Sequence, residues 1–365
     1  MKKVLVVFGT RPEAIKMCPV INELKRRENV QVIACLSGQH RDTVFPILDC
    51  FNVSANYNLD IMKPRQTLFD ITSNILEKYK DILVRESPDI VLVHGDTSTA
   101  FTAALGAFYM GIPIGHIEAG LRSGNVFEPF PEEFNRRSIS LISTYDFAPT
   151  LVSKENLLKE GKSEERIFVT GNTVIDALKT TVMDNYTHNE LKWAKSGKLI
   201  VLTSHRRENI GEPQRNIFRA VRRVANENSD LRIIFPMHPN PQIIKIAKEE
   251  FSGLQNVHLT NSLNVIDFHN FIARSYLVIT DSGGVQEEAT ALGKPVLVLR
   301  NNTERPEGVE SGALRLIGTC EREVYNNFSL LLKDKELYYK MSHAENPYGD
   351  GNASERISDI IERIM

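Results

Sequence analysis

The chain has 365 residues, a formal net charge of -2, 42% hydrophobic and 25% charged residues, and no low-complexity tract. That length exceeds one ordinary core and predicts two domains, while the balanced charge offers no field to draw in nucleic acid or an anionic membrane. No apolar run approaches the ~20 residues that span a bilayer.

In chain order, short apolar runs alternate with helical periodicity, the pattern of βα units and parallel sheet. Residues 3–8 read as the first strand. Arg11, Pro12 and Glu13 end that run before a leader's apolar region could form. They open the first helix instead: Thr10 and Glu13 make a capping-box pair, Pro12 sits in the first turn, and Met17, Val20, Ile21 and Leu24 share a face. Further strands are expected at 30–36, 90–94, 112–117 and 167–170. A polar stretch over 183–197 breaks the rhythm, which restarts with strands at 199–203, 231–235, 257–259, 276–280 and 295–299. Residues 352–365 read as a helix with Ile357, Ile360, Ile361 and Ile364 apolar, able to pack on either half. Cys18, Cys35, Cys50 and Cys320 show no CxxC pairing, so packing roles in a reducing cytoplasm are expected.

The expected fold class is α/β: two Rossmann-like doubly wound domains of similar size facing a cleft, joined near 170–197. In such sheets ligands bind beyond the carboxyl ends of the strands. Beyond the first strand, Gly9-Thr10-Arg11-Pro12-Glu13 turns into a helix N-terminus. The glycine, the helix dipole and the Arg11 charge suit a phosphate there, and Lys16 can point the same way. The bland alternative is a glycine turn with two solvated cations. After 276–280, Asp281-Ser282-Gly283-Gly284 opens another helix with a hydroxyl and open N–H groups suited to a diphosphate. Neither GxGxxG nor GxxxxGK[ST] occurs, so neither a dinucleotide nor a P-loop triphosphate is indicated. Glu287 and Glu288 follow; a carboxylate there either complements the helix dipole or meets ribose hydroxyls.

Asp96 and Glu118 end strands close in sequence, and two carboxylates converging on one site are what proton chemistry at the two faces of a carbon needs. Either could instead cap a helix, as Asp96 does if Thr97-Ser98-Thr99 begins one. A third acid cluster, Pro129-Phe130-Pro131-Glu132-Glu133-Phe134-Asn135-Arg136, is a proline-stiffened loop running into a helix. His205-Arg206-Arg207-Glu208-Asn209 follows 199–203 and suits a leaving phosphate better than a metal, because no partner stands at ligand spacing. His94, His116, His238, His258 and His269 form no HxxxH pair and are expected in core or rim. Metal-dependent chemistry is not indicated.

Nine ordered blocks spread over essentially the whole chain resemble one family. They are Phe8-Gly-Thr-Arg-Pro-Glu-Ala-Ile-Lys16, His94-Gly-Asp96, His116-Ile-Glu-Ala-Gly-Leu-Arg122, Pro131-Glu-Glu-Phe-Asn-Arg136, Thr170-Gly-Asn-Thr173, His205-Arg-Arg-Glu208, Asp281-Ser-Gly-Gly-Val-Gln-Glu-Glu288, Thr303-Glu-Arg-Pro-Glu307 and Asn346-Pro-Tyr-Gly-Asp-Gly351. The family is that of the bacterial non-hydrolysing UDP-N-acetylglucosamine 2-epimerases. The resemblance implies a GT-B-type fold: residues 1–171, completed by helix 352–365, form the first Rossmann-like domain, and 172–351 form a UDP-binding one. It also implies a homodimer and C2 epimerisation without a cofactor, by elimination of UDP to 2-acetamidoglucal and re-addition, supplying N-acetylmannosamine units for cell-surface polysaccharide.

Carried over by position, Asp96, Glu118, Glu132 and His205 form the catalytic group, with Lys16 and Arg136 beside the sugar. Diphosphate contacts fall to Arg11, His205, Ser282, Gly283 and Gly284, with Arg305 in the same substrate site; ribose falls to Glu288 and uracil packing to Phe268. A second UDP-N-acetylglucosamine, bound as an allosteric activator, would meet Gln39, Asp42, Arg65, Glu132, Arg206 and His238. Two departures stand out: Asp42 where the family often has Gln or Glu, and Asn301-Asn302 where Asp-Thr is usual. Three other readings are weighed. A UDP-sugar glycosyltransferase of the same fold would use one base, against three candidate acids here. The eukaryotic hydrolysing epimerase carries a kinase domain, absent from this sequence. An inactive nucleotide-sugar sensor would have no need of the intact acids.

Overall fold

The computed structural model describes every residue except His40 and Pro64, and only the backbone of Arg41 and Asp42. Residue contacts divide the chain into two compact units, Met1–Thr180 together with Tyr348–Met365, and Thr181–Pro347.

In the first unit seven strands make one parallel sheet: β1 (Lys2–Phe8), β2 (Val30–Leu36), β3 (Tyr57–Asn58), β4 (Ile90–His94), β5 (Ile114–Ile117), β6 (Tyr145–Ala148) and β7 (Ile167–Val169), in the order β3-β2-β1-β4-β5-β6-β7. Helices cover both faces, so the central strand is apolar throughout: Val4, Leu5, Val6, Val7 and Phe8 are fully buried. The chain works outward from β1 to β3 and then returns to β4 on the other flank of β1. The sheet's switch point therefore lies between the ends of β1 and β4, where open α/β sheets bind ligands.

Local sequence fixes that crevice. Helix Arg11–Leu24 starts at Thr10 with the expected capping box and Pro12 in its first turn, and it buries Met17, Val20, Ile21 and Leu24. The Glu13 carboxylate accepts from the Gly9 and Thr10 N–H groups at 3.1 and 2.8 Å and from the Thr97 hydroxyl at 2.7 Å. One buried acid thus ties the end of β1 to the turn after β4. Burial pushes its pKa up despite these donors.

The second unit repeats the plan with β8 (Lys198–Thr203), β9 (Leu231–Pro236), β10 (Val257–Thr260), β11 (Leu277–Thr280), β12 (Val296–Val298) and β13 (Leu314–Leu316), all parallel in the order β10-β9-β8-β11-β12-β13. Its switch point lies between β8 and β11. Helix Glu212–Glu227 presents Ile217, Phe218, Val221 and Val224 to this sheet. Phe218 meets Phe235 edge-on at 5.2 Å and Phe251 at 5.0 Å. Truncating such a ring to alanine costs about 3–5 kcal/mol.

Both sheets contain strands absent from the sequence reading: β3, β6 and β13. β3 is a two-residue edge strand, β13 reads Leu-Arg-Leu at the other edge, and β6 carries a buried Asp146 that breaks its apolar run. That acid is ion-paired with Lys162 Nζ at 3.0 Å and accepts from the Ser143 hydroxyl at 2.7 Å.

The unit boundaries also differ from 171 and 352. Helix Thr173–Thr181 stays with the first unit because Asp176 caps the final helix, Ala353–Ile364, accepting from the N–H groups of Ala353 at 3.2 Å and Ser354 at 2.7 Å. The return begins at Tyr348, whose carbonyl accepts the Asn172 N–H at 2.8 Å. Arg27, just past the end of the first helix, meets Asp359 of the last at 2.7 Å. Among the described residues no helix is long and apolar enough to cross a membrane.

Candidate active site

Two clusters of polar side chains gather beyond the strand ends, one in each unit. In the first unit Asp96 follows β4 and Glu118 follows β5, on adjacent strands paired through His94 and Ile117. Each carboxylate faces a cation. Asp96 is ion-paired with Arg136, which also bonds the fully buried Glu133 at 3.2 Å. The Asn135 side-chain amide donates to the Asp96 backbone carbonyl at 2.8 Å, so helix Glu132–Ile142 supplies both Arg136 and Asn135 to the β4 turn.

Glu118 is ion-paired with Lys16, both side chains being about nine-tenths buried. It also accepts from the Asn172 amide at 3.2 Å and lies 3.5 Å from His94 Nε2. Its φ of 64° is left-handed, a conformation that costs a non-glycine residue of order 1–3 kcal/mol and that clusters at functional sites. Burial lowers the His94 pKa to about 3, outweighing the pull of Glu118, so this ring is neutral beside the acid.

Among the other expected residues of this unit, Lys16 is drawn from the Gly9–Glu13 turn towards Glu118 by that pairing. Arg11 begins the first helix and is half-buried; Glu132 begins helix Glu132–Ile142 and is likewise half-buried. Gln39 accepts from the Thr99 hydroxyl at 2.9 Å, while Arg65 is exposed with φ 58°. The Asp42 side chain lies outside the described residues. His116 is a core histidine, bonded through Nε2 to the Gly95 carbonyl at 2.8 Å, and burial lowers its pKa.

In the second unit His205 and Arg206 follow β8, and Asp281 and Ser282 follow β11, on either side of the switch point. Asp281 is fully buried and accepts the N–H groups of His205 at 2.9 Å and Arg206 at 3.0 Å. Helix Gly283–Ala291 starts at Ser282, whose hydroxyl makes no cap bond, and Gly283 and Gly284 leave its first turn without side chains. A helix N-terminus stripped in this way concentrates N–H donors and partial positive charge for an anion. Arg305 reaches under it: its Nε donates to Glu287 and its Nη1 to Glu304, each at 2.7 Å. Glu304 further meets Arg300 at 2.7 Å and Arg206 at 3.5 Å. Burial opposes the Glu304 charge, but Arg305, Arg300 and Arg206 outweigh it and hold the carboxyl far below its ordinary range.

His238, beyond β9, stacks on His205 with centroids 5.9 Å apart and planes 13° from parallel. Arg206 and His238 thus stand beside His205, whereas Gln39 and Arg65 belong to the other unit. Glu288 is buried with its Oε1 3.5 Å from His269 Nε2, and the His269 Nδ1 pairs with the Thr181 hydroxyl at 2.7 Å. Phe268 is half-buried against the apolar cluster on one face of the second sheet.

Sequence reasoning gave no role to Asp281, Glu304 or Asn172. Each lies inside a quoted motif, yet its task is to hold a neighbour, and only tertiary contacts reveal which neighbour.

The chain matches a family model described as UDP-N-acetylglucosamine 2-epimerase over residues 22–362. The UDP-N-acetylglucosamine 2-epimerase of Bacillus subtilis is 53% identical over 363 residues, covering 100% of this chain and 95% of the relative. Among solved structures, the S. aureus MnaA–UDP co-structure has a TM-score of 0.94 at 48% identity, covering 100% of this chain and 97% of that one. The UDP-GlcNAc 2-epimerase from Neisseria meningitidis, bound to UDP-GlcNAc, has a TM-score of 0.93 at 44% identity, covering 99% and 100%. The chain belongs to the UDP-N-acetylglucosamine 2-epimerase family.

Proposed function

We propose that this protein interconverts UDP-N-acetylglucosamine and UDP-N-acetylmannosamine by anti elimination of UDP and re-addition through 2-acetamidoglucal. The carrying observation is the pair of carboxylates, Asp96 and Glu118, at the ends of adjacent strands, each set against a cation. C2 of the sugar has no neighbouring carbonyl, so its proton is far from acidic and simple deprotonation fails near neutral pH. Expelling UDP from C1 as the proton leaves solves this: the C2–H electrons become the C1=C2 bond while the C1–O electrons depart with UDP. Re-addition reverses both changes, with the new proton delivered to the opposite face.

One of Asp96 and Glu118 removes the proton and the other delivers it. Glu132 and Arg136 position the sugar. Arg11, Arg305, His205 and the Ser282–Gly284 turn take up the growing diphosphate charge, Glu288 meets the ribose and Phe268 packs on uracil. Lys16, paired with Glu118, keeps that carboxylate oriented. A glycosyltransferase would need one base, so the two paired acids favour epimerisation.

The reaction serves cell-surface polysaccharide synthesis in the cytoplasm, and the working form is a homodimer. A second UDP-N-acetylglucosamine, using Gln39, Asp42, Arg65, Arg206 and His238, activates it. Asp42 weakens that activation, since a carboxylate near a diphosphate costs about 1 kcal/mol at high dielectric. The test is incubation of purified protein with UDP-N-acetylglucosamine alone. UDP-N-acetylmannosamine should accumulate to a fixed ratio, and free N-acetylmannosamine as the main product would refute the non-hydrolysing route.

A further inference from the structure

Asp281 does something that the epimerase reading leaves unassigned. Its carboxylate is fully buried at the switch point between β8 and β11 and gathers one turn of chain around itself. It accepts from the His205 N–H at 3.1 and 2.9 Å, the Arg206 N–H at 3.0 Å, the Asn209 amide at 3.0 Å and the Ser204 hydroxyl at 3.3 Å. All four groups are neutral donors. Arg206 uses its Nε on the Asp281 backbone carbonyl instead, at 3.2 Å.

The same carboxylate lies 3.3 Å from His205 Nδ1. A negative acceptor at this distance favours the ring proton on Nδ1, which leaves Nε2 with a lone pair while the ring is neutral. The side chain is 40% exposed, so the ring reaches solvent. A neutral Nε2 cannot donate to a phosphate; it must first be protonated. The charged and titratable groups around the ring are Asp281 beyond β11, Arg206 and Glu208 on its own loop, and His238 beyond β9. Loss of water around the ring, with Arg206 and His238, lowers its pKa, against the opposing pull of Asp281 and Glu208.

We propose that Asp281 and His205 form a proton-linked dyad in which the ring waits neutral and takes one proton from solvent onto Nε2 as a nucleoside diphosphate arrives. The proton comes from the buffer and fills the Nε2 lone pair. The imidazolium beside Asp281 then donates to the phosphate. Asp281 is a positioning residue in this scheme, and the scheme rests on the reading of the Ser282–Gly284 turn as a UDP site. Its consequence is that diphosphate binding weakens as pH rises, because the proton that belongs to the complex becomes scarcer.

The test is calorimetric titration of the full chain with UDP between pH 6 and 8.5, in buffers of differing ionisation heat, for wild type and His205→Gln. UDP's own terminal phosphate titrates in this range, so the difference between the two proteins is the readout. The wild type should take up more protons per UDP than His205→Gln, by up to one. Its affinity should fall more steeply with pH, by up to ~tenfold per unit where the linkage is full. Asp281→Asn, which cannot hold the imidazolium by charge, should move the uptake to lower pH; if it does not fold, the His205→Gln comparison decides. Equal uptake by wild type and His205→Gln overturns the dyad alone. Failure of the wild type to bind UDP overturns the nucleotide reading and the dyad with it.

Discussion

Gly283→Ala is the sharpest perturbation of the anion-binding turn. A Cβ at this position would lie 2.4 Å from Arg305 Nη1, 2.7 Å from its Cζ and 3.0 Å from Glu304 Oε1. An arginine tip usually swings clear of such a clash, but this one is 7% exposed and clamped by Glu287 and Glu304 at 2.7 Å each. Removing one partner of a buried ion pair costs about 3–5 kcal/mol. Bending the pair aside, rather than deleting it, should cost somewhat less, about 2 kcal/mol. For a unit of this size that lowers the melting temperature by about 4–8 °C. If the helix N-terminus retreats with the guanidinium, UDP affinity should fall by roughly 30-fold. Thermal unfolding with and without UDP, together with a UDP titration, measures both. Repeating the substitution in an Arg305→Met background removes the clash, and the cost of Gly283→Ala should shrink there by most of its value. An unchanged melting temperature and UDP affinity in the wild-type background would refute this account of the turn.

Other expectations follow from the first unit. Asp96→Asn and Glu118→Gln keep the side-chain shapes and remove a proton acceptor, so turnover should drop on the order of 10²–10⁴-fold while UDP still binds; near-normal turnover in steady-state assays would return that residue to a structural role. His94 is buried neutral with its pKa near 3, whereas the unfolded chain binds a proton there below about pH 6.5. The folded state should therefore lose stability at that site as pH falls from 6.5 towards 3, by roughly 1.4 kcal/mol per unit. Denaturant titrations of His94→Asn should show a shallower loss than wild type between pH 6.5 and 4, and parallel curves would contradict it. UDP-N-acetylmannosamine alone should turn over slowly and accelerate with a trace of UDP-N-acetylglucosamine, Asp42→Gln needing less activator; full rate without activator would exclude the second site.

Much of the fold was legible because its central strands are covered on both faces and so read as unbroken apolar runs: Val4–Phe8 and Leu199–Leu202 announce themselves. The strands that hide are those whose stability comes from elsewhere. β6 carries Asp146, paired with Lys162 and bonded by Ser143, and β3 and β13 are short edges. The Asp176 cap on the last helix is hidden for a similar reason, since it joins residues 178 apart in sequence at most. Within the site, residues with a direct chemical signature were visible: strand-end acids, a glycine turn before a helix, a histidine beside arginines. Asp281, Glu304 and Asn172 carry no such signature. Asp281 and Asn172 act on a residue at another strand end, and Glu304 joins its neighbours Arg300 and Arg305 to Arg206 beyond β8, a partner that spacing along the chain does not reveal.

The most direct test of the central claim is NMR of UDP-N-acetylglucosamine with the purified protein in D2O, without added nucleotide cofactor or divalent metal. Two-face proton chemistry at C2 by Asp96 and Glu118 predicts UDP-N-acetylmannosamine carrying deuterium at C2. Product that retains its original C2 proton, or sugar released free of UDP, would contradict it.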